Sequence, residues 1–239
     1  LLRSGGAPKQ GDNMQTATTP PTAPGEELYE GDAGMTSLVS YPKRCALWGS
    51  WQFRGNCDGT LFLNLLMRYR PHRVADPMVG SGTTRDVVAG LNARHEAGID
   101  YWGSDLHEGF DLTTTCLPRQ FDFVWIHPPY WNVIRYSDQP NDLSAAPTYE
   151  LFVSSLRTCL RHCFDALAPD GRLAVLVGDV RRQGRYYPLI RDVLNLDGQL
   201  GTLRSVIIKA QHNCASDRRT YSAMEDVPIK HEYCIVFKK

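Results

Sequence analysis

The sequence predicts an α/β domain whose core is a mostly parallel β-sheet. Three short apolar runs, at 72–76, 121–126 and 172–178, have the length and character of buried strands. Segments in which apolar residues recur at helical spacing alternate with them, at 59–69, 83–91 and 149–167. The composition, 42% hydrophobic and 22% charged over 239 residues, is that of a globular chain with one good core.

The first 34 residues have a different composition. They are rich in Gly, Pro, Thr, Ala and Gln, and they contain too few large apolar side chains to offset the entropy of ordering. We expect residues 1–34 to be a disordered tail or an expression remnant, with Met14 or Met35 as a natural start. Residues 35–239 are then expected to form a single domain.

Aromatic side chains mark the beginning of this domain. Trp48, Trp51 and Phe53 lie among glycines and basic residues, a pattern typical of a loop that its rings anchor in the core. A helix is predicted over 59–69, because the apolar spacing is helical there and Pro71 ends the pattern.

A glycine-rich turn joins strand 72–76 to helix 83–91. Gly80 and Gly82 allow a ligand to approach the backbone, and the helix N-terminus presents free N–H groups. The spacing is neither the dinucleotide fingerprint nor a phosphate loop, since no Lys follows the second Gly. Asp76 suits a cationic ligand better than a phosphate, because a carboxylate would repel a pyrophosphate. An ordinary strand-to-helix turn gives the same pattern.

Two further strands place functional groups at their ends. Residues 99–106 are predicted to form a strand whose Asp105 is placed to accept both hydroxyl groups of a ribose. The run 121–126 is followed by His127 and then by two prolines, which lack an N–H and so force the chain rigidly out of the sheet.

Two aromatic residues follow the prolines. Tyr130 and Trp131 are thereby held beyond the carboxyl end of a strand, where open α/β sheets bind their ligands. A polar side chain, a rigid backbone and a flat ring at one place favour binding of a planar group that carries an amine.

The rest of the chain continues the alternation. Residues 133–147 are polar, contain two prolines and are expected to form a mobile loop over the site. Turn residues at 169–171 separate helix 149–167 from strand 172–178, and 188–196 is expected to be helical. The β-rich segments 202–210 and 231–237 are expected to pair as an antiparallel hairpin.

Basic residues form local patches, although the 26 basic and 26 acidic side chains cancel. The first patch suits phosphate neutralisation and base stacking, unless it is a solvated loop. It contains Arg181, Arg182, Arg185, Tyr186 and Tyr187. A second candidate patch contains Lys209, His212, Arg218, Arg219 and Tyr221. Any affinity for nucleic acid is expected to come from such loops and to weaken steeply with salt.

Two motifs together resemble an enzyme family. Residues 76–84, DPMVGSGTT, are similar to the cofactor loop DPFxGSGTT of the S-adenosylmethionine-dependent N6-adenine and N4-cytosine DNA methyltransferases. Residues 127–130, HPPY, resemble the (D/N/S)PP(Y/F/W) motif of the same enzymes, and the resemblance covers roughly 41–239. It implies a Rossmann-like class I methyltransferase with a mostly parallel seven-stranded sheet and a C-terminal antiparallel hairpin, and S-adenosyl-L-methionine as the cofactor.

The resemblance also implies roles for individual residues. The expected cofactor contacts are Asp76, Pro77, Gly80, Ser81, Gly82, Thr83, Thr84, Asp105 and Asp111, the last of which is also a common turn residue. The expected catalytic residues are His127, Pro128, Pro129 and Tyr130. In the family, the first motif residue and the carbonyl of the first proline accept hydrogen bonds from the target amine, and the aromatic residue stacks on the flipped base. The segment 48–56 is expected to lie over the cofactor, as the corresponding segment does in the family.

The substrate implied by the resemblance is DNA. The candidate DNA contacts are Arg135, Tyr136, Arg181, Arg182, Arg185, Arg218 and Arg219. The chain has no room for the family's usual recognition domain, so specificity is expected from the loops 133–147, 179–187 and 211–230, or from a specificity partner or homodimer. In the absence of a nuclease signature, an orphan modification enzyme is favoured over a restriction-modification partner.

His127 departs from the family pattern. A neutral imidazole has one acceptor nitrogen and can replace the usual Asp, Asn or Ser, whereas a protonated ring cannot. The His leaves adenine N6 and cytosine N4 both open as targets. Methyl transfer to an RNA or protein amine, and a catalytically silent cofactor-binding module, are the alternative interpretations.

Cysteine usage and hydropathy predict the cellular setting. The seven cysteines are odd in number and lack metal-ligand spacing, so we expect reduced thiols, no bound metal and a cytoplasmic protein. No apolar run has the length of a membrane span, and no contact with a membrane is expected.

Overall fold

The structure is a computed structural model that describes residues 34–212 and 225–239. The predicted N-terminal tail, apart from Gly34, lies outside the described residues. The same holds for Arg218, Arg219 and Tyr221 of the second basic patch. The longest described helix has 17 residues, and no described helix combines the length and apolar character that a bilayer crossing requires.

Four α-helices and nine strands form the described part of the chain. The helices are α1 (Thr60–Tyr69), α2 (Thr83–His95), α3 (Tyr149–Asp165) and α4 (Leu189–Leu194). The strands are β1 (Leu38–Ser40), β2 (Arg73–Asp76), β3 (Asp100–Gly103), β4 (Phe121–Ile126), β5 (Leu167–Val177), β6 (Val180–Arg182), β7 (Arg185–Tyr187), β8 (Thr202–Ala210) and β9 (His231–Lys238).

Seven of these strands form one mixed sheet in the order β1-β8-β9-β5-β4-β2-β3. Strand β9 is antiparallel to both of its neighbours, β5 and β8, and every other pair in the sheet is parallel. The predicted mostly parallel seven-stranded sheet with a C-terminal antiparallel pair is therefore confirmed. Strand β1 was not predicted, because three residues are too few to show a periodicity.

The two faces of the sheet are covered by different helices. On one face, Phe62 of α1 packs against Phe123 and Trp125 of β4, with ring centroids 6.3 and 5.5 Å apart. On the other face, the apolar side of α3 joins Val124 and Ile126 in the main hydrophobic cluster. Successive residues of β4 thus point to opposite faces, as the pleat requires, and both faces are buried.

The position of β4 determines where a ligand can bind. The chain runs from β2 through α2 to β3 on one side of β2, and it then returns to form β4 on the other side. Such a reversal between neighbouring parallel strands leaves a crevice at their carboxyl ends, where open α/β sheets bind ligands. Here the crevice lies between Asp76 at the end of β2 and His127 after β4.

Some local expectations differ from the structure. Residues 179–187 are not a loop but contain the β6–β7 hairpin, whose turn residues Gln183 and Gly184 both have positive φ (48° and 76°). This conformation matches the twist of a tight hairpin. Residues 169–171 are not a separate turn, since β5 begins at Leu167 and its pairing with β4 shifts register across them.

Candidate active site

The glycine-rich loop after β2 is held in one shape by its neighbours. Val79 N donates to Ser104 O (3.2 Å), which ties the loop to the end of β3. Gly80 has a φ of +52°, and a Cβ there would lie 3.2 Å from the ring of Phe53. Gly82, the residue directly before α2, has a φ of +87°. Both positions favour glycine, because other residues rarely adopt this conformation.

Asp76 stabilises this loop from below. Its side chain is 3% exposed, and its carboxylate accepts from Met78 N (3.0 Å) and from Thr84 Oγ1 (2.6 Å). Burial raises the pKa of Asp76 to about 7, against the opposing effect of these hydrogen bonds. Each oxygen thus already has a partner in the chain, and a direct contact with a cationic ligand stays a prediction.

Asp105 connects the end of β3 to the same loop. Its Oδ2 accepts from Gly80 N (3.0 Å), and its Oδ1 accepts from His107 N and Glu108 N (2.9 and 3.1 Å). The side chain is only partly buried and lines the cleft described below. A carboxylate oxygen has two lone pairs, so Oδ2 retains capacity to accept a further hydrogen bond.

Asp111 has the geometry of a turn residue. Its carboxylate accepts from Thr113 N (2.9 Å), from the hydroxyl groups of Thr113 and Thr114, and from Asn141 Nδ2 (2.6 Å). Partial burial raises the pKa of Asp111, but these hydrogen bonds outweigh it and hold the pKa below its usual value. The predicted contact with an adenine amine stays a prediction, although Asp111 also lines the cleft.

The aromatic segment before α1 lies against the glycine-rich loop. Ser50 N donates to Ser81 Oγ (3.1 Å), and Thr83 Oγ1 donates to Asn56 Oδ1 (2.5 Å). Trp48 is buried, as the anchoring interpretation predicts, whereas Trp51 is 79% exposed. The anchoring interpretation therefore holds for Trp48 and not for Trp51.

A second loop meets this segment over the cleft. Tyr136 stacks on Phe53, with ring centroids 5.7 Å apart and planes at 19°, and its hydroxyl donates to Arg54 O (3.1 Å). The neighbouring Arg135 is exposed and pairs with Asp138 (2.9 Å). Of the two predicted contacts in the 133–147 loop, Tyr136 therefore lines the cleft and Arg135 does not.

These segments line a cleft that is open to solvent. It brings together most of the predicted site residues. Those from the glycine-rich loop and α2 are Asp76, Pro77, Gly80, Ser81, Thr83 and Thr84. Those from other segments are Asp105, Asp111, His127, Pro129 and Tyr136. Gly82, Pro128 and Tyr130 do not line it, nor do Arg135 and the three arginines of the hairpin.

His127 lies at the end of β4 with its ring in the cleft. Its Nε2 is 2.9 Å from the Tyr130 hydroxyl, which donates to Glu232 Oε1 (2.8 Å). Burial lowers the pKa of His127, and Lys209 acts in the same direction while Glu232 and Asp58 oppose it. The net effect favours the neutral ring, which is the form that can accept a hydrogen bond from an amine.

An ion-pair network continues from Glu232 into the protein. Lys209 Nζ is 3.3 Å from Glu232 Oε2 and 2.9 Å from Asp58 Oδ2, and Lys209 and Glu232 are 6% and 8% exposed. We call Asp58, Lys209, Glu232, Tyr130 and His127 the buried network. The prediction that Lys209 faces DNA is wrong, because its cross-strand partner Glu232 holds it inside.

The two aromatic residues after the prolines have different surroundings. Trp131 is buried and packs against Tyr149 and Tyr187, and its Nε1 donates to Ala146 O (3.0 Å). The Trp131 ring is thus part of the core, which leaves Tyr130 as the flat ring expected to contact a planar ligand. The Tyr130 ring approaches Gly178 so closely that a Cβ there would lie 2.7 Å from its Cε2.

The β6–β7 hairpin separates its arginines into two kinds. Arg181 lies over the ring of Tyr186 and donates to Val227 O (2.9 Å), so it is engaged within the chain. Arg182 and Arg185 are exposed at the tip, where they lie opposite each other in the register of the two strands. Tyr187 is partly buried, because its ring packs against Trp131 and Tyr149, and its stacking on a base stays a prediction.

Sequence reasoning missed part of the site. Cys57, which directly follows the segment 48–56, lines the cleft, and burial raises the pKa of its thiol to about 12, so the thiol stays protonated. Glu232 and Lys209 had a detectable signal, because each is a charged residue inside an otherwise β-rich strand pattern. Opposite charges at such positions indicate a cross-strand pair.

Comparison with known proteins gives low similarities. No protein-family model and no curated protein match the chain. Among solved structures, a candidate DNA modification methylase of Thermus thermophilus complexed with S-adenosyl-L-methionine is 23% identical over 70% of this chain, with a TM-score of 0.37. The chain spans only 55% of that protein.

Two other methyltransferase structures are similar in the same range. TrmN from Thermus thermophilus is 17% identical over 78% of this chain and 50% of its own, with a TM-score of 0.44. The N-methyltransferase NodS of Bradyrhizobium japonicum in complex with S-adenosyl-L-homocysteine is 13% identical over 76% of this chain and 85% of its own, also at 0.44. Similarities of this size do not assign the chain to a family.

Proposed function

We propose that the protein is an S-adenosylmethionine-dependent methyltransferase that modifies an exocyclic amino nitrogen of a DNA base, adenine N6 or cytosine N4. The observation that carries the proposal is the cleft itself. One cavity joins a glycine-rich loop, an acid at the end of the neighbouring strand and His127 after β4. A cofactor site and an acceptor for an amine thus share the crevice between β2 and β4.

The residues of the cleft fit the proposed cofactor. The loop from Pro77 to Gly82 allows close backbone approach, Asp105 offers an acceptor for the ribose hydroxyls, and Phe110 and Leu112 offer apolar walls for an adenine ring. Asp76 and Asp105 make the site suitable for a ligand with an ammonium group and unsuitable for a pyrophosphate. When bound, the cofactor supplies an electrophilic methyl group.

His127 supports the reaction as a hydrogen-bond acceptor. An exocyclic amine is a poor nucleophile, because its lone pair is delocalised into the ring. An acceptor that draws on one N–H localises the lone pair on nitrogen and orients it for in-line attack. The neutral His127 ring, half-buried at the wall of the cleft, has the chemistry for this role.

Replacing Asp105 with Ala is expected to weaken S-adenosylmethionine binding about tenfold to hundredfold, because hydrogen bonds to a charged group contribute about 1.5–3 kcal/mol. Titration calorimetry measures the effect. Glu108→Gln is the matched control, since Glu108 pairs with Arg85 outside the cleft. Equal affinities of Asp105→Ala and the control variant would exclude Asp105 from the cofactor site.

The exposed arginines of the hairpin support DNA as the substrate. The double variant Arg182→Ala/Arg185→Ala is expected to reduce the slope of log Kd against log salt concentration by about 0.9 for each lost phosphate contact. Arg68→Ala, an exposed arginine near the amino end of β2, is the control. An unchanged slope in DNA-binding titrations would remove the hairpin from the interface.

The direct test is methyl transfer from labelled S-adenosylmethionine to unmethylated genomic DNA, followed by nucleoside mass spectrometry. Formation of N6-methyladenine or N4-methylcytosine supports the proposal and identifies the base. Parallel reactions contain RNA or protein in place of DNA. If only RNA or protein became labelled, the substrate would be an amine of that molecule and not of DNA. If nothing became labelled, the result would contradict methyl transfer.

A further inference from the structure

The buried network lies directly behind the proposed acceptor. Asp58 and Glu232 flank Lys209 at 2.9 and 3.3 Å, and Glu232 accepts from the Tyr130 hydroxyl at 2.8 Å. Tyr130 in turn lies 2.9 Å from His127 Nε2. A chain of contacts thus connects four segments to one nitrogen of the imidazole: the residues before α1, those after β4, and strands β8 and β9.

We infer that the buried network fixes the tautomer of His127, with the proton on Nε2 and the acceptor lone pair on Nδ1. The tautomer follows from the number of protons that Glu232, Tyr130 and His127 share. An ionised carboxylate only accepts, so the single hydroxyl proton of Tyr130 is used on Glu232. The Tyr130 oxygen can then only accept from His127, which requires a proton on Nε2.

The charges of the network keep Glu232 ionised. Burial raises the pKa of Glu232, but Lys209, His127, Tyr130 and Gln211 outweigh it and hold the pKa below its usual value. Glu232 and Asp58 likewise outweigh the burial of Lys209 and raise its pKa. A protonated Glu232 could donate to Tyr130 and reverse the direction of the hydrogen bonds, and the ion pair prevents this.

Tyr130 and Glu232 are thus positioning residues for His127. Their importance for catalysis rests on the proposed function. Within the described part of the chain, the hydrogen bond of the His127 ring is made by Nε2, which leaves Nδ1 for a ligand. A fixed tautomer keeps this nitrogen as a permanent acceptor for an amine N–H. Without the network, the neutral ring would divide its population between two tautomers, only one of which can accept at Nδ1.

The tautomer can be observed by NMR in the intact chain with ¹⁵N-labelled histidine. A His127→Asn variant assigns the His127 signals among the seven histidines. At neutral pH we expect a protonated, pyrrole-type Nε2 and an unprotonated, pyridine-type Nδ1. The opposite pattern, or an imidazolium, would overturn the inference, and this readout does not depend on any methylation activity.

Tyr130→Phe tests the cause of the tautomer, because it removes the hydroxyl and keeps the ring. We expect the two nitrogen shifts of His127 to move towards each other, and kcat to fall about tenfold, as for the loss of about 1.4 kcal/mol in the transition state, with unchanged KM for the cofactor. Tyr233→Phe is the matched control, since it removes a hydroxyl that contacts His231 (2.7 Å) on the same strand as Glu232.

The outcomes separate the two proposals. A fixed Nε2–H tautomer in wild type that Tyr130→Phe leaves intact would overturn the role of the network even if the enzyme methylates DNA. A fixed tautomer that Tyr130→Phe disturbs, in a protein that methylates no substrate, would support the network and contradict the proposed function. Should Tyr130→Phe fail to fold, the wild-type spectrum alone decides the tautomer.

Discussion

Lys209→Met is expected to destabilise the fold by about 3–5 kcal/mol, because it leaves two carboxylates buried without their common cation. Lys209 is 6% exposed between Asp58 and Glu232, so solvent does not screen the repulsion that remains. Methionine has a similar length and keeps most of the packing. The free energy of unfolding in urea at neutral pH measures the effect.

The pH dependence of stability gives a second readout. The folded-state pKa of Glu232 is lowered, so its contribution is present above the unfolded pKa and is lost as pH falls through the folded value. The raised pKa of Lys209 gives a contribution that is present below its unfolded pKa and is lost as pH rises through the folded value. The deficit of Lys209→Met should therefore shrink in acid, where Glu232 becomes protonated and the repulsion between the two buried carboxyl groups is relieved.

Lys238→Met serves as the control for Lys209→Met. Lys238 lies on β9 and pairs with Asp170, a largely exposed carboxylate, so its loss should cost no more than about 1 kcal/mol. Equal effects of the two substitutions would mean that the buried network does not stabilise the fold beyond an ordinary surface pair.

His127→Ala is expected to lower kcat about 10²- to 10³-fold while the affinity for S-adenosylmethionine changes little. His127 lines the cleft after β4 as the proposed acceptor, whereas the loop 77–82 and Asp105 form the proposed cofactor side. Steady-state methylation kinetics and calorimetry separate the two quantities. A loss of cofactor affinity that accounts for the whole effect would contradict the assignment of His127 to the amine.

The acid limb of the kcat profile should belong to the same residue. Burial lowers the pKa of His127, and the groups that face it are Tyr130, Glu232, Lys209 and Asp58. The neutral acceptor is present above this pKa, so activity should fall only as pH drops below the usual histidine range. His127→Asp, which replaces the imidazole with a carboxylate acceptor of lower pKa, should move the limb further into acid, and an unchanged limb would exclude His127 as its source.

The strand patterns and the glycine-rich loop were predictable because they depend on local sequence. The apolar run 121–126 and the turn at Gly80 and Gly82 gave the sheet, its crevice and one side of the cleft. The exposure of individual rings was not predictable. Trp48, Trp51 and Trp131 are equally apolar in the sequence, yet of these three only Trp51 is exposed, since burial depends on tertiary contacts.

The two charged residues inside the β-rich segments hinted at a cross-strand pair, but the complete buried network was not predictable from the sequence. Lys209 was grouped with basic neighbours along the chain, but its partners Asp58 and Glu232 come from a distant helix start and from the opposite strand. Only the register of β8 against β9 places Lys209 opposite Glu232. Likewise, the Tyr130 hydroxyl could be assigned a partner only once β9 was seen between β5 and β8.

The central place of β9 has a consequence for how the protein is made. Of the described strands, β9 is the last to leave the ribosome, yet it inserts between β5 and β8 in the middle of the sheet and carries Glu232. A nascent or prematurely terminated chain that stops before His231 has the glycine-rich loop and His127 but lacks Glu232, which accepts from the Tyr130 hydroxyl. The buried network can therefore form only after the last described strand has been synthesised.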